Sequence, residues 1–206
     1  MSRAPSDTAV PALAALAAFL LVAAIDEPTA LDRDFYGLAS RWYSRRLERA
    51  QRPLEIIGLP GAYIPLAYFI ARSLRKRRKR GGAEIVAASW SAWLALRTMR
   101  LVIHRPRPPR PPGRKPKHES TFPSGHTLGL TTLALVVADV LAREGLLDRR
   151  AARILGIGVP LAIGANRVYV REHWLTDVLG GWALGAAVAR LTFRASRRRR
   201  HTEILS

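Results

Sequence analysis

The chain has 206 residues, of which 49% are hydrophobic, 34 are Lys or Arg and none is Cys, and its formal net charge is +19. This length allows one domain, or one membrane bundle without an appended soluble domain, and the lack of cysteine excludes disulfide bonds and thiolate metal sites. A charge this positive raises nucleic acid as a partner. The cations lie beside long apolar segments, however, which favours a membrane protein over a nucleic-acid-binding module.

Apolar residues form six segments that are candidates to cross a bilayer, which takes about 20 residues. The candidate spans are Thr8–Ile25, Leu54–Ala71, Glu84–Ile103, Thr127–Ala142, Ile154–Val168 and Leu175–Phe193. The fourth and fifth are short, and either could be a buried core helix instead. The first is alanine-rich and follows Arg3, so a cleavable signal segment is an alternative. The sequence predicts an all-α fold, in which six transmembrane helices form a single integral-membrane domain over residues 1–206.

The distribution of basic residues predicts how this bundle is oriented. A basic run over Arg72–Arg80 follows the second span, a basic tail over 194–206 follows the sixth, and four arginines separate the fourth and fifth spans. Because Lys and Arg accumulate in cytoplasmic loops, all three regions and both termini are expected in the cytoplasm. On the opposite side, arginines recur at near-helical spacing between Arg41 and Arg52. This pattern indicates either a helix in the headgroup layer or a solvated loop helix.

Arginines at the end of the third span form the first candidate phosphate-binding motif. Arg100 is followed, after six residues, by Arg107 and Pro108. A guanidinium group can donate two parallel hydrogen bonds to phosphate and stays protonated. A charge in the last turn of an apolar helix is costly unless it is paired or reaches the interface, so we predict that Arg100 and Arg107 bind phosphate. For Arg97 we favour extension of the side chain to the membrane interface.

Four residues that precede the fourth span form the second motif, Pro123-Ser124-Gly125-His126. Ser124 is a good N-cap for the following helix, and Gly125 lets the backbone approach a ligand closely. The free amides of a helix N-terminus suit a phosphate oxygen. His126 is placed to donate a proton to a leaving group. The alternative is an ordinary capped helix with an incidental histidine.

The third motif combines Arg167, His173 and Asp177 at the junction of the fifth and sixth spans. The spacing of four residues puts His173 and Asp177 on one face of a helix. A carboxylate that accepts a hydrogen bond from one ring nitrogen fixes the tautomer and makes the other nitrogen more nucleophilic. The alternative is a structural His–Asp cap. Arg167 adds a cation from the end of the preceding span.

The predicted topology places all three motifs at the same, extracytoplasmic end of the bundle. The basic residues that predict the topology are separate from the motif residues, so this agreement supports both. A three-ligand zinc site formed by His126, His173 and Asp177 is an alternative. The arginines that crowd the same place argue against a divalent cation.

Together the motifs resemble the type 2 phosphatidic acid phosphatase superfamily. Its pattern is Lys-x6-Arg-Pro, then Pro-Ser-Gly-His, then Ser-Arg-x5-His-x3-Asp. The resemblance covers residues 97–181, and six spans match the membrane branch of the superfamily. This chain departs from the pattern at Arg100, where the family has lysine, and at Asn166, where it has serine.

The resemblance implies a role for each matching residue. His173 would attack phosphorus and form a phosphohistidine, Asp177 would orient His173, and His126 would protonate the leaving oxygen. The residues implied to hold the phosphoryl oxygens are Arg100, Arg107, Ser124, Gly125 and Arg167. Neither a metal ion nor a cofactor is implied.

The leading hypothesis is a multi-pass lipid phosphatase of the cell membrane with an extracytoplasmic active site. Its substrate would be a lipid phosphate or diphosphate, with undecaprenyl diphosphate as the best guess and phosphatidate or phosphatidylglycerophosphate as the alternative. The motifs bind phosphate and do not identify the lipid tail. A lipid phosphotransferase and a non-enzymatic lipid-binding protein with a vestigial site are further alternatives. The expected partners are the lipid substrate and membrane lipids, not nucleic acid, and the sequence does not determine the oligomeric state.

Overall fold

The computed structural model describes residues 9–110 and 119–205, with side chains over 10–110 and 119–196. Within these ranges the chain is all-helical, as predicted. The helices are α1 (Ala9–Ala23), α2 (Ala30–Trp42), α3 (Arg45–Ala50), α4 (Arg52–Ile57), α5 (Pro60–Lys76), α6 (Gly82–Val102), α7 (Gly125–Arg143), α8 (Arg149–Tyr169) and α9 (Leu175–Leu205). The predicted start of the first span at Thr8, and the side chains of the basic tail beyond Ser196, lie outside the described residues.

Six of these helices, α1 and α5 to α9, coincide with the six predicted spans. Of the helices in the described ranges, Gly125–Arg143 is the one that is both long and apolar enough to cross a bilayer, and Val10–Ala23 is apolar but shorter. Most of α7 is buried inside the bundle. Crossing of a membrane by all six helices therefore stays a prediction.

The second predicted span begins later than expected. The structure places a break at Gly58 and Leu59, and α5 begins at Pro60 rather than at Leu54. Proline suits the first helical position because its missing N–H has no partner to lose there. The preceding residues form the short helix α4 instead, and Pro65 lies inside α5 without ending it.

The arginine-rich region between the first two spans contains three helices rather than one. Helix α2 ends at Trp42, and the short helices α3 and α4 meet at Gln51. The N-terminus of α2 carries a capping box formed by Thr29 and Asp32. The Asp32 carboxylate, which is 1% exposed, also accepts hydrogen bonds from the backbone N–H and the hydroxyl of Thr176, at 2.8 and 2.9 Å. Asp32 therefore ties α2 to the start of α9.

Helix α7 packs closely against α9 through two glycines spaced by four residues. A Cβ atom added at Gly181 would lie 2.9 Å from Thr127 Cβ, and one at Gly185 would lie 2.8 Å from the carbonyl oxygen of Leu128. Small residues at this spacing let two helix backbones approach each other. The contact fixes the register of α7 against α9, and so the positions of the functional groups at their N-terminal ends.

The long helices α6 to α9 run so that their basic segments meet at one end of the bundle. Lys79 Nζ donates to the carbonyl oxygen of Glu144 at 2.8 Å, and Arg143 Nη2 pairs with Glu84 at 2.7 Å. The C-terminal ends of α6 and α8 and the N-terminal ends of α7 and α9 lie at the opposite end. All three sequence motifs are found at this second end.

We expect Gly185→Ala to destabilise the bundle, because α9 would have to move away from the carbonyl oxygen of Leu128. Overpacking of this kind costs about 1–3 kcal/mol. The matched control is Gly158→Ala in α8, where an added Cβ meets nothing within 4 Å. This control should keep or raise stability, since Ala favours helix over Gly by about 1 kcal/mol. Thermal unfolding in detergent measures both, and equal midpoints would contradict the close contact between α7 and α9.

Candidate active site

A cleft of about 450 Å³ opens where the ends of α6, α7 and α8 meet. Six of the eight predicted site residues line it, and they come from all three motifs. They are Arg100, Arg107, Gly125, His126, Arg167 and His173. The other two, Ser124 and Asp177, are fully buried and lie in the wall behind the cleft. The structure thus brings the motifs together at one end of the bundle, as the topology predicted.

His173 lies in the turn between α8 and α9 and is held through Thr121. Its Nδ1 atom lies 3.0 Å from Thr121 Oγ1, and the same hydroxyl donates to Asp177 Oδ2 at 2.7 Å. A hydroxyl has one hydrogen. Because that hydrogen goes to the carboxylate, Thr121 accepts the hydrogen bond from His173 Nδ1–H. The proton of the neutral ring is therefore on Nδ1, and Nε2 keeps its lone pair.

The direct contact predicted between Asp177 and His173 is replaced by this relay. The distance from His173 Nδ1 to Asp177 Oδ2 is 3.5 Å, longer than the usual 2.7–3.2 Å of an N–H···O hydrogen bond. Thr121 was not singled out in the sequence. It directly precedes Phe122 and the Pro-Ser-Gly-His motif, but nothing local marks its hydroxyl as buried between an imidazole and a carboxylate.

The surroundings of His173 favour its neutral form. Burial lowers the pKa of the imidazole below its ordinary value, although the nearby carboxylate of Asp177 raises it, and Arg107 and Arg167 lower it further. A neutral imidazole with a lone pair at the cleft is the form that can act as a nucleophile.

Asp177 is fully buried and receives three further stabilising contacts besides His173. Arg105 Nη1 donates to Oδ1 at 3.1 Å, and Thr121 and the backbone N–H of Trp174 donate to Oδ2, the latter at 2.8 Å. Buried charges are stable when they are paired and hydrogen-bonded in this way. Arg105 has no role in the three sequence motifs, and the structure shows that it is 2% exposed.

Arg105 is held in place by the end of α1. Its Nη2 atom donates to the carbonyl oxygens of Val22, at 3.2 Å, and Ile25, and its guanidinium carbon lies 4.4 Å from the centre of the Phe122 ring. The segment that carries Arg105 and Arg107 has no regular secondary structure. Arg105 is buried in the protein, whereas Arg107 lines the cleft. No local sequence pattern marks Arg105 for the buried position.

Arg107 is held by backbone carbonyl groups and by Glu172. Its Nε donates to the carbonyl oxygen of Glu119 at 3.2 Å and its Nη1 to that of Glu172 at 3.0 Å. The Glu172 carboxylate lies 3.7 Å from Arg107 Nη1 and also pairs with Arg110. These contacts fix the guanidinium group at the outer end of the cleft.

Arg167 is supported by the residue before it. Asn166 Oδ1 accepts hydrogen bonds from Arg167 Nε, at 2.9 Å, and from Nη2. The amide nitrogen of Asn166 donates to Gln51 Oε1, between α3 and α4. An amide can both accept from Arg167 and donate to Gln51, which gives a physical reason for asparagine where the family pattern has serine.

Arg100 is held more loosely than the other two cleft arginines. Its Nη1 atom lies 3.5 Å from Glu119 Oε2, and the Glu119 side chain is 76% exposed. Its Nε atom is buried without a hydrogen-bond partner among the described residues. A guanidinium group with donors of this kind is available to a ligand in the cleft.

His126 is fixed by the end of α4. Its Nε2 atom lies 2.8 Å from the carbonyl oxygen of Glu55; since a carbonyl only accepts, Nε2 carries a hydrogen. A Cβ atom added at Gly58 would lie 2.2 Å from His126 Cδ2. Gly58 therefore packs directly against the ring, and the short helix α4 becomes part of the site wall.

The two residues before His126 have structural roles at the start of α7. Ser124 occupies the N-cap position, as predicted, but its side chain forms no capping hydrogen bond with the helix. Its hydroxyl accepts from Thr127 Oγ1 at 2.9 Å. Its N–H donates to the carbonyl oxygen of Asp177 at 3.1 Å. A Cβ atom added at Gly125 would lie 2.8 Å from Leu96 Cδ2, so glycine allows α6 and α7 to meet beside the cleft.

The site thus combines one imidazole nitrogen with a lone pair, a second imidazole and a ring of cations. Within the described ranges, no group of three or more His, Asp or Glu side chains is arranged to hold a metal ion, so the zinc alternative lacks a ligand cluster. The groups present suit transfer of a phosphoryl group, in which negative charge on three equatorial oxygens must be stabilised.

The sequence model of the PAP2 superfamily matches residues 83–201, more than half of the 206-residue chain. The chain belongs to the PAP2 superfamily. This result confirms the resemblance that the three motifs indicated, and the matched region includes every motif residue.

Two curated PAP2 relatives match a part of the chain. Phosphatidylglycerophosphatase B of Bacillus subtilis (strain 168) is 36% identical over 73 residues, which cover 33% of this chain and 36% of the relative. Undecaprenyl-diphosphatase of Sulfolobus acidocaldarius is 35% identical over 72 residues, which cover 35% of this chain and 32% of the relative. Each match therefore spans about a third of the length of the curated relative.

Two solved structures share the fold over most of the chain. The transmembrane PAP2-type phosphatidylglycerolphosphate phosphatase of Bacillus subtilis has a TM-score of 0.80 at 22% identity, covering 91% of this chain and 96% of that one. Aquifex aeolicus LpxE has a TM-score of 0.66 at 21% identity, covering 82% of this chain and 98% of that one. The arrangement of helices is therefore that of known PAP2 structures.

We expect inorganic phosphate to stabilise the protein by binding in the cleft, and Arg167→Gln to weaken that effect. A ligand that binds the folded state raises the unfolding midpoint as its concentration rises, and a lost charge-assisted hydrogen bond weakens binding by about tenfold or more. The control is Arg153→Gln, an exposed arginine at the other end of α8. Thermal unfolding across a phosphate titration measures both variants. An equal phosphate response in wild type and Arg167→Gln would contradict the assignment of the cleft.

Proposed function

We propose that the protein is an integral-membrane, metal-independent phosphatase that hydrolyses a lipid phosphate or diphosphate through a phosphohistidine. The observation that carries this proposal is the tautomer of His173. Thr121 holds the ring proton on Nδ1, so the lone pair of Nε2 is free in a cleft ringed by arginines.

In the first step, His173 Nε2 attacks phosphorus, a P–N bond forms and the P–O bond to the leaving group breaks. For this step His126 carries a proton on both ring nitrogens; it gives one to the leaving oxygen and becomes neutral. The positive charge that develops on His173 is stabilised through Nδ1–H by Thr121 and the carboxylate of Asp177. The guanidinium groups of the cleft stabilise charge on the equatorial oxygens.

In the second step, water attacks the phosphohistidine. His126 takes a proton from this water, the P–N bond breaks and its electron pair returns to His173 Nε2. The covalent intermediate divides one difficult displacement into two easier ones. Inorganic phosphate then leaves the cleft and the ring of His173 is neutral again.

The distribution of charge and apolar surface supports a multi-pass membrane position. Large apolar side chains are exposed along the outside of the long helices, among them Leu21, Leu94, Leu101, Ile154 and Leu191, and lipid would cover them. The basic segments meet at the end opposite the cleft. By the positive-inside rule, that end and both termini lie in the cytoplasm, and the active site faces outward.

The substrate is a lipid whose tail stays in the bilayer. An isoprenoid diphosphate such as undecaprenyl diphosphate is our first choice, and phosphatidylglycerophosphate or phosphatidate is the second. The two curated relatives carry one name of each kind, an undecaprenyl-diphosphatase and a phosphatidylglycerophosphatase, so the relatives support both choices.

We expect the purified protein to release phosphate from lipid phosphates in detergent with EDTA present, and His173→Ala to lose this activity by at least about 10³-fold. His104→Ala is the control, since His104 is exposed and lies outside the residues that line the cleft. Phosphate release from a panel of lipid phosphates and diphosphates is measured. Turnover by His173→Ala at the wild-type rate would exclude the phosphohistidine.

We expect Thr121→Val to lower kcat by about 10- to 100-fold, because a hydrogen bond to a charged group contributes about 1.5–3 kcal/mol. Thr121→Ser keeps the hydroxyl and should restore most of the rate. The wild-type enzyme should lose activity on the acid side only below a pH of about 6.5, the ordinary pKa of histidine. Burial lowers the pKa of His173, and protonation of its ring removes the nucleophile. If the Val and Ser variants are equally active, the relay through Thr121 has no role in the reaction.

A further inference from the structure

The cleft has two halves of different chemistry. Arg107, Glu119 and Glu172 lie at its outer end. The half that lies deeper along α6 is mainly apolar, with Trp93 and Leu96 in its wall. This deeper half contains one cation, Arg97. Arg97 has no role in the phosphoryl transfer proposed for His173.

Arg97 lies three residues before Arg100 and faces the same cleft. Residues at this spacing share one face of a helix, and the rise of an α-helix puts Arg97 about 4.5 Å deeper than Arg100. The side chain is exposed, and it forms no hydrogen bond or ion pair with another residue of the described chain. The sequence favoured a cation that only reaches the interface, whereas the structure places it in the wall of the cleft.

The cleft is lined by four arginines and two glutamates, and the glutamates lie near Arg100 and Arg107 rather than near Arg97. Arg100, Arg107 and Arg167 surround the position in front of His173. An unpaired arginine beside apolar side chains near the end of a membrane helix is costly. That cost is offset when a ligand brings a second negative charge to the deeper half.

The orientation of a bilayer lipid decides which part of the substrate meets Arg97. The terminal phosphoryl group must lie at His173, and the tail must extend toward the membrane interior, so the next group along the lipid lies on the deeper side. In a lipid diphosphate that group is a second phosphate, joined through one bridging oxygen. In a lipid monophosphate it is an uncharged carbon.

We propose that Arg97 binds the second, lipid-proximal phosphate and makes the enzyme select lipid diphosphates over lipid monophosphates. This inference rests on the proposed function and narrows its substrate class. When His173 attacks the terminal phosphorus, the P–N bond forms and the bridging P–O bond breaks. The electron pair goes to the oxygen of the inner phosphate, which leaves as a lipid monophosphate. Arg97 stabilises the charge that develops there, so it acts on kcat as well as on KM.

The test compares two substrates with the same tail, farnesyl diphosphate and farnesyl monophosphate, on the full chain in detergent with EDTA. For Arg97→Gln we expect kcat/KM to fall by about 10- to 100-fold on the diphosphate, the range of a charge-assisted contact. The monophosphate value should change by much less, so that the ratio of the two falls at least tenfold. Arg97→Lys keeps the charge and should recover part of the ratio.

Two controls separate the possible failures. Arg153→Gln makes the same change of charge on an exposed residue at the far end of α8 and should leave both substrates unaffected. An equal loss on both substrates, or on neither, with wild-type turnover intact would overturn the role of Arg97 and leave the phosphatase standing. If wild type hydrolyses neither substrate nor any other lipid phosphate, both proposals fail. Thermal unfolding midpoints establish that the Arg97 variants are folded.

Discussion

The buried carboxylate of Asp177 is the constraint on which the site depends. A charge without exposed surface is stable only when it is paired and hydrogen-bonded, and the loss of one partner is strongly destabilising. Its partners are Arg105, Thr121 and the backbone N–H of Trp174. They come from the loop before α7 and from the start of α9, and Arg105 is anchored in turn by the end of α1. The hydrogen bonds to the buried Asp177 carboxylate therefore hold three separate segments together around His173.

The arginines at this end of the bundle divide into supporting and ligand-facing groups. Arg105 is buried and forms its hydrogen bonds within the protein. Arg107 and Arg167 also donate some hydrogen bonds to carbonyl or amide oxygens, but both side chains still line the cleft. Side chains fixed in this way need little reorganisation when charge develops on a substrate, which is the basis of electrostatic catalysis. Arg100 is less constrained. The site thus has firmly held cations in Arg107 and Arg167 and a less constrained one, Arg100, beside Gly125.

The sequence predicted what depends on local pattern. Apolar runs identified the six long helices, and basic runs identified which ends of those helices meet. Pro60, Gly61 and Pro65 indicated a kink in the second span, but the apolar run continues from Leu54, so hydropathy did not show that the long helix begins only at Pro60. Thr121 and Arg105 were missed for a different reason. Their roles come from contacts with α9 more than fifty residues away, and no local signal distinguishes them from loop residues.

The hydrogen bonds between Asp32 and Thr176 have a consequence for how the protein is made. The two residues are 144 positions apart, and chains are synthesised from the N-terminus onward. While the ribosome is still extending the chain, the carboxylate of Asp32 has neither of its partners from the last helix. The link between α2 and α9 can form only after α9 has been made, and a nascent chain that stops before Thr176 leaves the Asp32 carboxylate with the capping-box contacts of Thr29.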